Sequence, residues 1–405
     1  MSNEAPSRFD FDLTEPDPIP GEGIARALEL LRSGRLFRYT EVGDGEVNDT
    51  ALLETRFAEL VGRRYALCVN SCGSALFLAL RASGVQPYDK VLMNGYTLAP
   101  VPGAIQHAGA EAVLVEIDER LTIDVDDLRK KAQQSGATTL LLSHMRGHLA
   151  DLDKVSAVCD AMGIDLIEDC AHTLGASWGG QPTGTFGRVG CFSTQTFKHM
   201  NSGEGGVLVT DDPQIAARAI LHSGSYMFYG QHEARPPMST FESLRGVVPN
   251  YSLRMSALAA AVALPQLDLL AERASKMNAL YRELEKLVMD IPHARVVERA
   301  PQEDYVGSSF QFSLPELSPD QISVVVGTAN GMGLHVKWYG EPLMQGFTSR
   351  PHQWDYVAGS TGLPRTEAIL AKLCELRVPP AMDASHCRLA ADILLHAISV
   401  AVGTS

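Results

Sequence analysis

Residues 192–206 read Phe-Ser-Thr-Gln-Thr-Phe-Lys-His-Met-Asn-Ser-Gly-Glu-Gly-Gly: a strand-like start, a lysine at 198 and a glycine cluster. A lysine beside glycines is, taken alone, usually a solvated loop charge. This one is preceded, 29 residues earlier, by Asp169 in Ile-Glu-Asp-Cys-Ala-His (167–172), where an aspartate leaves an apolar strand. Many α/β enzymes place polar function at strand C-termini, where ligands gather. An aspartate leaving one buried strand and a lysine leaving the next are what pyridoxal phosphate chemistry requires. The lysine holds the cofactor aldehyde as a Schiff base. The aspartate keeps the pyridine nitrogen protonated, so that the ring accepts electrons from a substrate carbanion.

On both sides of this stretch short strands alternate with helices. Strand-like runs fall at 65–69, 90–93, 112–115, 138–143, 165–168, 189–193 and 206–210. Helical periodicity marks 23–33, 49–60 (with Asp49 or Thr50 as N-cap), 74–83 and 155–162. Such alternation predicts an α/β fold with a mainly parallel sheet covered on both faces. Residues 253–285 predict one long helix leading into a smaller α+β region, with strands at 309–314 and 334–338 and helices at 364–373 and 384–402. The expected division is an N-terminal arm over 1–22, a large cofactor-binding domain over 23–270 and a small domain over 271–405.

With Lys198, four intervening residues and Gly203-Glu-Gly-Gly206, the chain resembles the DegT/StrS-type aminotransferases, over roughly 54–266 and more faintly to the C-terminus. The resemblance implies the aspartate-aminotransferase-like fold type I with a seven-stranded-type sheet, pyridoxal 5'-phosphate as cofactor, and a homodimer with shared active sites. It implies ping-pong transfer of an amino group from L-glutamate or L-glutamine to a keto acceptor through Lys198, with Asp169 as its partner. The acceptor is a keto sugar, nucleotide-linked or not, or a small anionic ketone. Alternatives are a lyase, dehydratase or decarboxylase on the same scaffold, or a cofactor-binding regulator without turnover. Lys198 counts against the dehydratases that carry histidine there.

Further site residues follow from the same resemblance. The phosphate turn is Asn70-Ser-Cys-Gly-Ser74, leading into a helix whose N-terminus favours an anion. Cys72 and Gly73 stand where relatives have glycine and threonine, so Ser74 replaces the lost hydroxyl. Ser193 matches a phosphate-binding serine, and His172 stands where glutamine is common, near the cofactor ring hydroxyl. Relatives stack an aromatic ring on the cofactor from the position of Leu98; here either Leu98 covers it or Tyr96 takes over. Asn250, or Ser252 in strict register, is the candidate to reach the partner's phosphate. Arg146 in His-Met-Arg-Gly-His (144–148) replaces an aromatic residue and suggests an acidic or phosphorylated acceptor, unless it pairs with Asp151 or Asp153. His148 is a second substrate candidate. Arg350, Arg377 and Lys337 could serve a donor carboxylate, and the sequence does not rank them. The aromatic stretch 222–229 suggests a substrate-facing or dimer loop.

Composition narrows the partners. A formal charge of −14 argues against a general nucleic-acid surface. No run approaches the roughly 18 consecutive apolar residues of a membrane span, and the first residues lack a signal-peptide core. Seven scattered cysteines without metal spacing read as reduced thiols in a cytoplasmic protein, with no metal expected.

Overall fold

The computed structural model describes residues 5–40, 43, 46–343, 350–357 and 362–403. Its large sheet has seven strands: β1 (Tyr65–Val69), β2 (Lys90–Asn94), β3 (Glu111–Val115), β4 (Thr139–Ser143), β5 (Asp165–Asp169), β6 (Val189–Ser193) and β7 (Gly206–Thr210). They lie in the order β1-β7-β6-β5-β4-β2-β3. β7 runs antiparallel to both neighbours, and the remaining pairs are parallel. Alternate side chains serve opposite faces, as the two-residue period of a strand demands. Val91, Met93, Leu141 and Ile167 enter one apolar core, and Leu92, Leu140, Leu142 and Leu166 another. A sheet buried on both sides reads as continuous apolar runs, which is why its strands are legible.

Helix α1 (Gly21–Ser33) and helix α2 (Asp49–Val61) precede the sheet. The N-cap of α2 is Asn48, one residue before the expected position; its Oδ1 accepts from Ala51 N at 2.9 Å. Helix α3 (Cys72–Ala82) is capped by Ser71. The single helix expected over 253–285 is broken into Ala257–Ala263, a 3-10 stretch Leu264–Leu269 and a long helix Leu270–Met289. Pro265 explains the break, because it brings no N–H and its ring clashes with the carbonyl four residues back.

The second sheet contains β8 (Arg295–Val296), β9 (Ser309–Ser313), β10 (Lys337–Trp338) and β11 (Leu373–Arg377), in the antiparallel order β8-β9-β11-β10. The helix expected over 364–373 stops at Leu370, and β11 follows it. One face of this sheet is apolar: Phe310, Phe312, Trp338, Cys374 and Leu376 join a core with the helices Leu270–Met289, Pro319–Gly331 and Ala384–Val402. Cross-strand pairing places Ser309 opposite Arg377, and both Gln311 and Lys337 opposite Glu375, so the other face carries a polar stripe.

The N-terminal stretch expected as an arm is packed into this second core through Phe9 and Leu13. Phe9 N donates to Met332 O at 2.8 Å. Gly333, at φ +90°, permits the approach, since a Cβ there would lie 2.2 Å from Phe9 O. Ala384–Val402 is long and apolar enough to cross a membrane by length and composition, yet Cys387, Ala390, Ile393, Leu394, Ala397 and Ile398 are buried in the same core.

Candidate active site

Lys198 sits on the connection between β6 and β7. The strand pairing continues past the strand ends: Thr194 N donates to Gly205 O, and Thr196 N to Gly203 O, each at 3.0 Å. The glycines here answer to close packing. A Cβ on Gly205 would lie 2.2 Å from Thr194 Oγ1, and one on Gly206 would lie 2.4 Å from the backbone oxygen of Ser71. β7 is thereby seated directly against the turn that opens α3. Because β1, β5 and β6 point the same way, the turn, Asp169 and Lys198 converge at one edge of the sheet.

Asp169 is buried, and its carboxylate accepts from Ser143 Oγ at 2.8 Å and from Ala171 N at 3.1 Å. Burial raises its pKa, while the Ser143 and Ala171 hydrogen bonds and the Lys198 charge oppose the rise. Lys198 Nζ lies 2.6 Å from His172 Nε2. Burial, reinforced by the positive charge of Arg146, lowers the lysine to about 8. The same kind of setting, burial first and then the Lys198 charge, pushes His172 well below its usual range, so its ring is neutral. A neutral imidazole beside an amine of depressed pKa is a nucleophile held in place by an acceptor.

At the phosphate end, Ser71 Oγ accepts from Ser74 N at 3.0 Å and lies 3.0 Å from Ser74 Oγ. The first amides of α3 have no partner within the helix and point toward the turn. Gly73 leaves open backbone: a Cβ there would meet other atoms only at 3.8 Å. Ser193, buried at the end of β6, accepts from Gln195 N at 3.3 Å. A buried acid, a lysine with a nearby neutral acceptor, and a helix N-terminus fit pyridoxal 5'-phosphate end to end. Tyr96 is wholly buried, edge-on to Tyr339 with ring centres 5.4 Å apart, whereas Leu98 keeps partial exposure. Asn250 is exposed; its Oδ1 accepts from Ser252 N at 2.8 Å, and Ser252 adopts φ +57°.

Beside Lys198 opens a cleft walled by His172, Arg146, Arg273, Arg377 and the N-terminal residues 13–17. Arg146 occupies a left-handed conformation, φ 56° and ψ 24°, uncommon for a side chain with a Cβ. It is not paired with Asp151, which holds Lys154, or with Asp153, which accepts from Trp178 Nε1 at 3.0 Å. Instead its Nε lies 3.1 Å from Glu375 Oε1 and donates to Tyr339 Oη at 3.3 Å, while Tyr339 donates to Glu375. The arginine that the sequence suggested as a free fork is therefore paired through its Nε.

His148 is corrected outright. It is buried away from the cleft wall, with Nε2 2.8 Å from Gln311 Oε1, and burial together with Arg299 pushes its pKa well down. Among the three cations left unranked, Arg350 is paired with Glu367 at 2.8 Å, and Lys337 lies outside the cleft wall. Arg377 lines the cleft, with its guanidinium 4.3 Å from the centre of the Phe197 ring. The 222–229 stretch stays outside the wall: His222 Nδ1 lies 2.9 Å from Pro249 O, and Tyr226 lies under Arg254. Glu375, Tyr339 and residues 13–17 are the site features that sequence reasoning missed. A period-two pairing of Glu375 with Arg377 was the available signal, hidden by the helical run before it.

Fold and site together define a pyridoxal-phosphate enzyme of fold type I. Residues 22–394 match the DegT/DnrJ/EryC1/StrS aminotransferase family, and the chain belongs to it, with pyridoxal 5'-phosphate as cofactor. It is 30% identical over 280 residues to the spore coat polysaccharide biosynthesis protein SpsC of Bacillus subtilis (strain 168), covering 68% of this chain and 69% of that one. It is 37% identical over 207 residues to the L-glutamine:2-deoxy-scyllo-inosose aminotransferase of Streptomyces kanamyceticus, covering 50% of this chain and about half, 47%, of that relative. The fold is similar to that of 3-amino-5-hydroxybenzoic acid synthase (TM-score 0.81, 22% identity, 98% of this chain and 100% of that one). It is also similar to the aminotransferase TlmJ of Streptoalloteichus hindustanus (TM-score 0.80, 19% identity, 95% and 98%).

Proposed function

We propose that this chain transfers the amino group of glutamine or glutamate to the keto carbon of a sugar or cyclitol. The observation that carries the reading is Lys198 Nζ, 2.6 Å from neutral His172, opening onto a cleft with an arginine, Arg377, that has no ion pair among the described residues. The names of the matched relatives, an inosose aminotransferase and a polysaccharide biosynthesis protein, agree with it. When bound, the cofactor supplies an electron sink for the substrate carbanion. Lys198 Nζ would hold the cofactor aldehyde and, when freed, would be the base that carries the proton of the donor α-carbon across to the cofactor carbon. His172 Nε2 holds the Lys198 amine in orientation; Asp169 would keep the ring nitrogen of the bound cofactor protonated, and Arg377 would receive the donor carboxylate.

The same reading assigns a homodimer. Ile24, Leu28 and Leu31 leave a stripe of exposed apolar side chains on α1, and Asn250 stands exposed for a partner's phosphate. The test of function loads the enzyme with the amino form of the cofactor and offers a panel of ketones, following the return of the aldehyde-form absorbance. Sugars and cyclitols should restore it, and Lys198→Ala should not respond. Response to simple keto acids alone would overturn the reading.

A further inference from the structure

Among the described residues four lysine and arginine side chains line the cleft, and three of them are already committed. Lys198 belongs to the cofactor. Arg273 pairs with Asp17 at 3.3 Å. Arg146 is held by Glu375 at 3.1 Å, with side chains 14% and 3% exposed. Arg377 has no ion pair or side-chain hydrogen bond among the described residues and lies over Phe197. Glu375 and Arg377 project from the same face of β11, two residues apart, so one strand presents a free cation and cancels its neighbour's.

We propose that Glu375 is a specificity-determining residue, acting through Arg146, that tunes the cleft for substrates with a single carboxylate. The donor is then glutamine in preference to glutamate, and the acceptor is an uncharged ketone. This rests on the function proposed above and sharpens it. A second carboxylate entering beside Arg146 meets a guanidinium already paired with Glu375, whose negative charge opposes it as it loses its hydration. A carboxamide or a hydroxyl loses much less on entry, and the outer guanidinium N–H groups of Arg146 still donate to its oxygen. A nucleoside diphosphate is disfavoured on the same ground, since the cleft has no second uncommitted cation for it among the described residues.

Glutaramate and glutarate test this. They have the length of the two donors and lack the amino group, so they bind the holoenzyme without reacting. Calorimetry on the wild type should give at least about tenfold tighter binding of glutaramate, a gap of roughly 1.4 kcal/mol. Glu375→Gln keeps the shape of the side chain and frees the Arg146 charge, so the ratio should move toward glutarate by about tenfold or more. Arg377→Gln should weaken both probes alike. Equal or tighter binding of glutarate by the wild type overturns the proposal even if the Glu375 variant does not fold. A ratio left in place by folded Glu375→Gln overturns it as well. Failure of the aminotransferase reading is separable: no amino acid would then convert the cofactor, while the probe ratio would still report on Arg146.

Discussion

Lys198 is buried in a setting that opposes its charge, and its behaviour with pH follows from that. Burial first, and the Arg146 charge second, bring its pKa to about 8. Only the neutral amine attacks an aldehyde. Capture of pyridoxal phosphate by the apoenzyme should therefore accelerate as pH rises through about 8 and level off above it. Arg146→Met removes a charge that disfavours the ammonium form, so its profile should shift to higher pH. Stopped-flow absorbance measures both, and a wild-type rate that is flat from about pH 7 to about pH 9 would contradict the assignment. Asp169→Asn should retain the cofactor on dialysis yet lose more than about tenfold in turnover, over roughly 1.4 kcal/mol of barrier, because an amide cannot hold the ring nitrogen protonated. At this scale the sequence was most readable where chemistry fixes both residue type and spacing, as at Lys198 and Asp169. It was least readable where a contact joins distant segments: nothing near Arg146 announces Glu375, and His148 looks like a site residue until Gln311 is seen to hold it.

Elements carry these residues by close backbone contact. Gly206 is the tightest case, since its missing Cβ leaves room for Ser71 O and the turn that heads α3. In Gly206→Ala the new methyl would meet backbone, which no rotamer change relieves. We expect a loss of about 1–3 kcal/mol in denaturant unfolding, together with weaker cofactor retention in equilibrium dialysis. Retention at the wild-type level would show that the turn and β7 are not coupled in this way. Strands of the large sheet were legible because both faces are apolar. β11 was not, because its polar face points across to Arg146 and breaks the apolar run, and the long helix was over-extended because Pro265 sits within strong helix formers.

Across the whole molecule, Phe9 and Leu13 and residues from Leu280 onward build one core. Phe9 is buried among side chains of the core behind the second sheet, next to His386 at a ring separation of 6.1 Å. Residues 13–17, a few positions on, wall the cleft. Phe9→Ala should cost about 3–5 kcal/mol in chemical denaturation, and it should raise the Michaelis constant for the acceptor by loosening that wall. An unchanged constant in the folded variant would show that the wall stands independently of its anchor. Composition suggested a loose arm here, because a proline-rich polar stretch gives no sign of two aromatic and aliphatic anchors finding a distant core.

That shared core also sets an order of assembly. On the ribosome the anchor at Phe9 is made early and must wait for Met332 and the helix Ala384–Val402, so its pairing spans nearly the whole chain. The intervening seven-stranded sheet and its helices can form in the meantime and shorten the gap that must be closed, which lowers the entropy cost of bringing the ends together. The wall of the cleft is then among the last parts to be set, and nascent chains truncated before the final helix would carry Lys198 and Asp169 in place with the substrate side open.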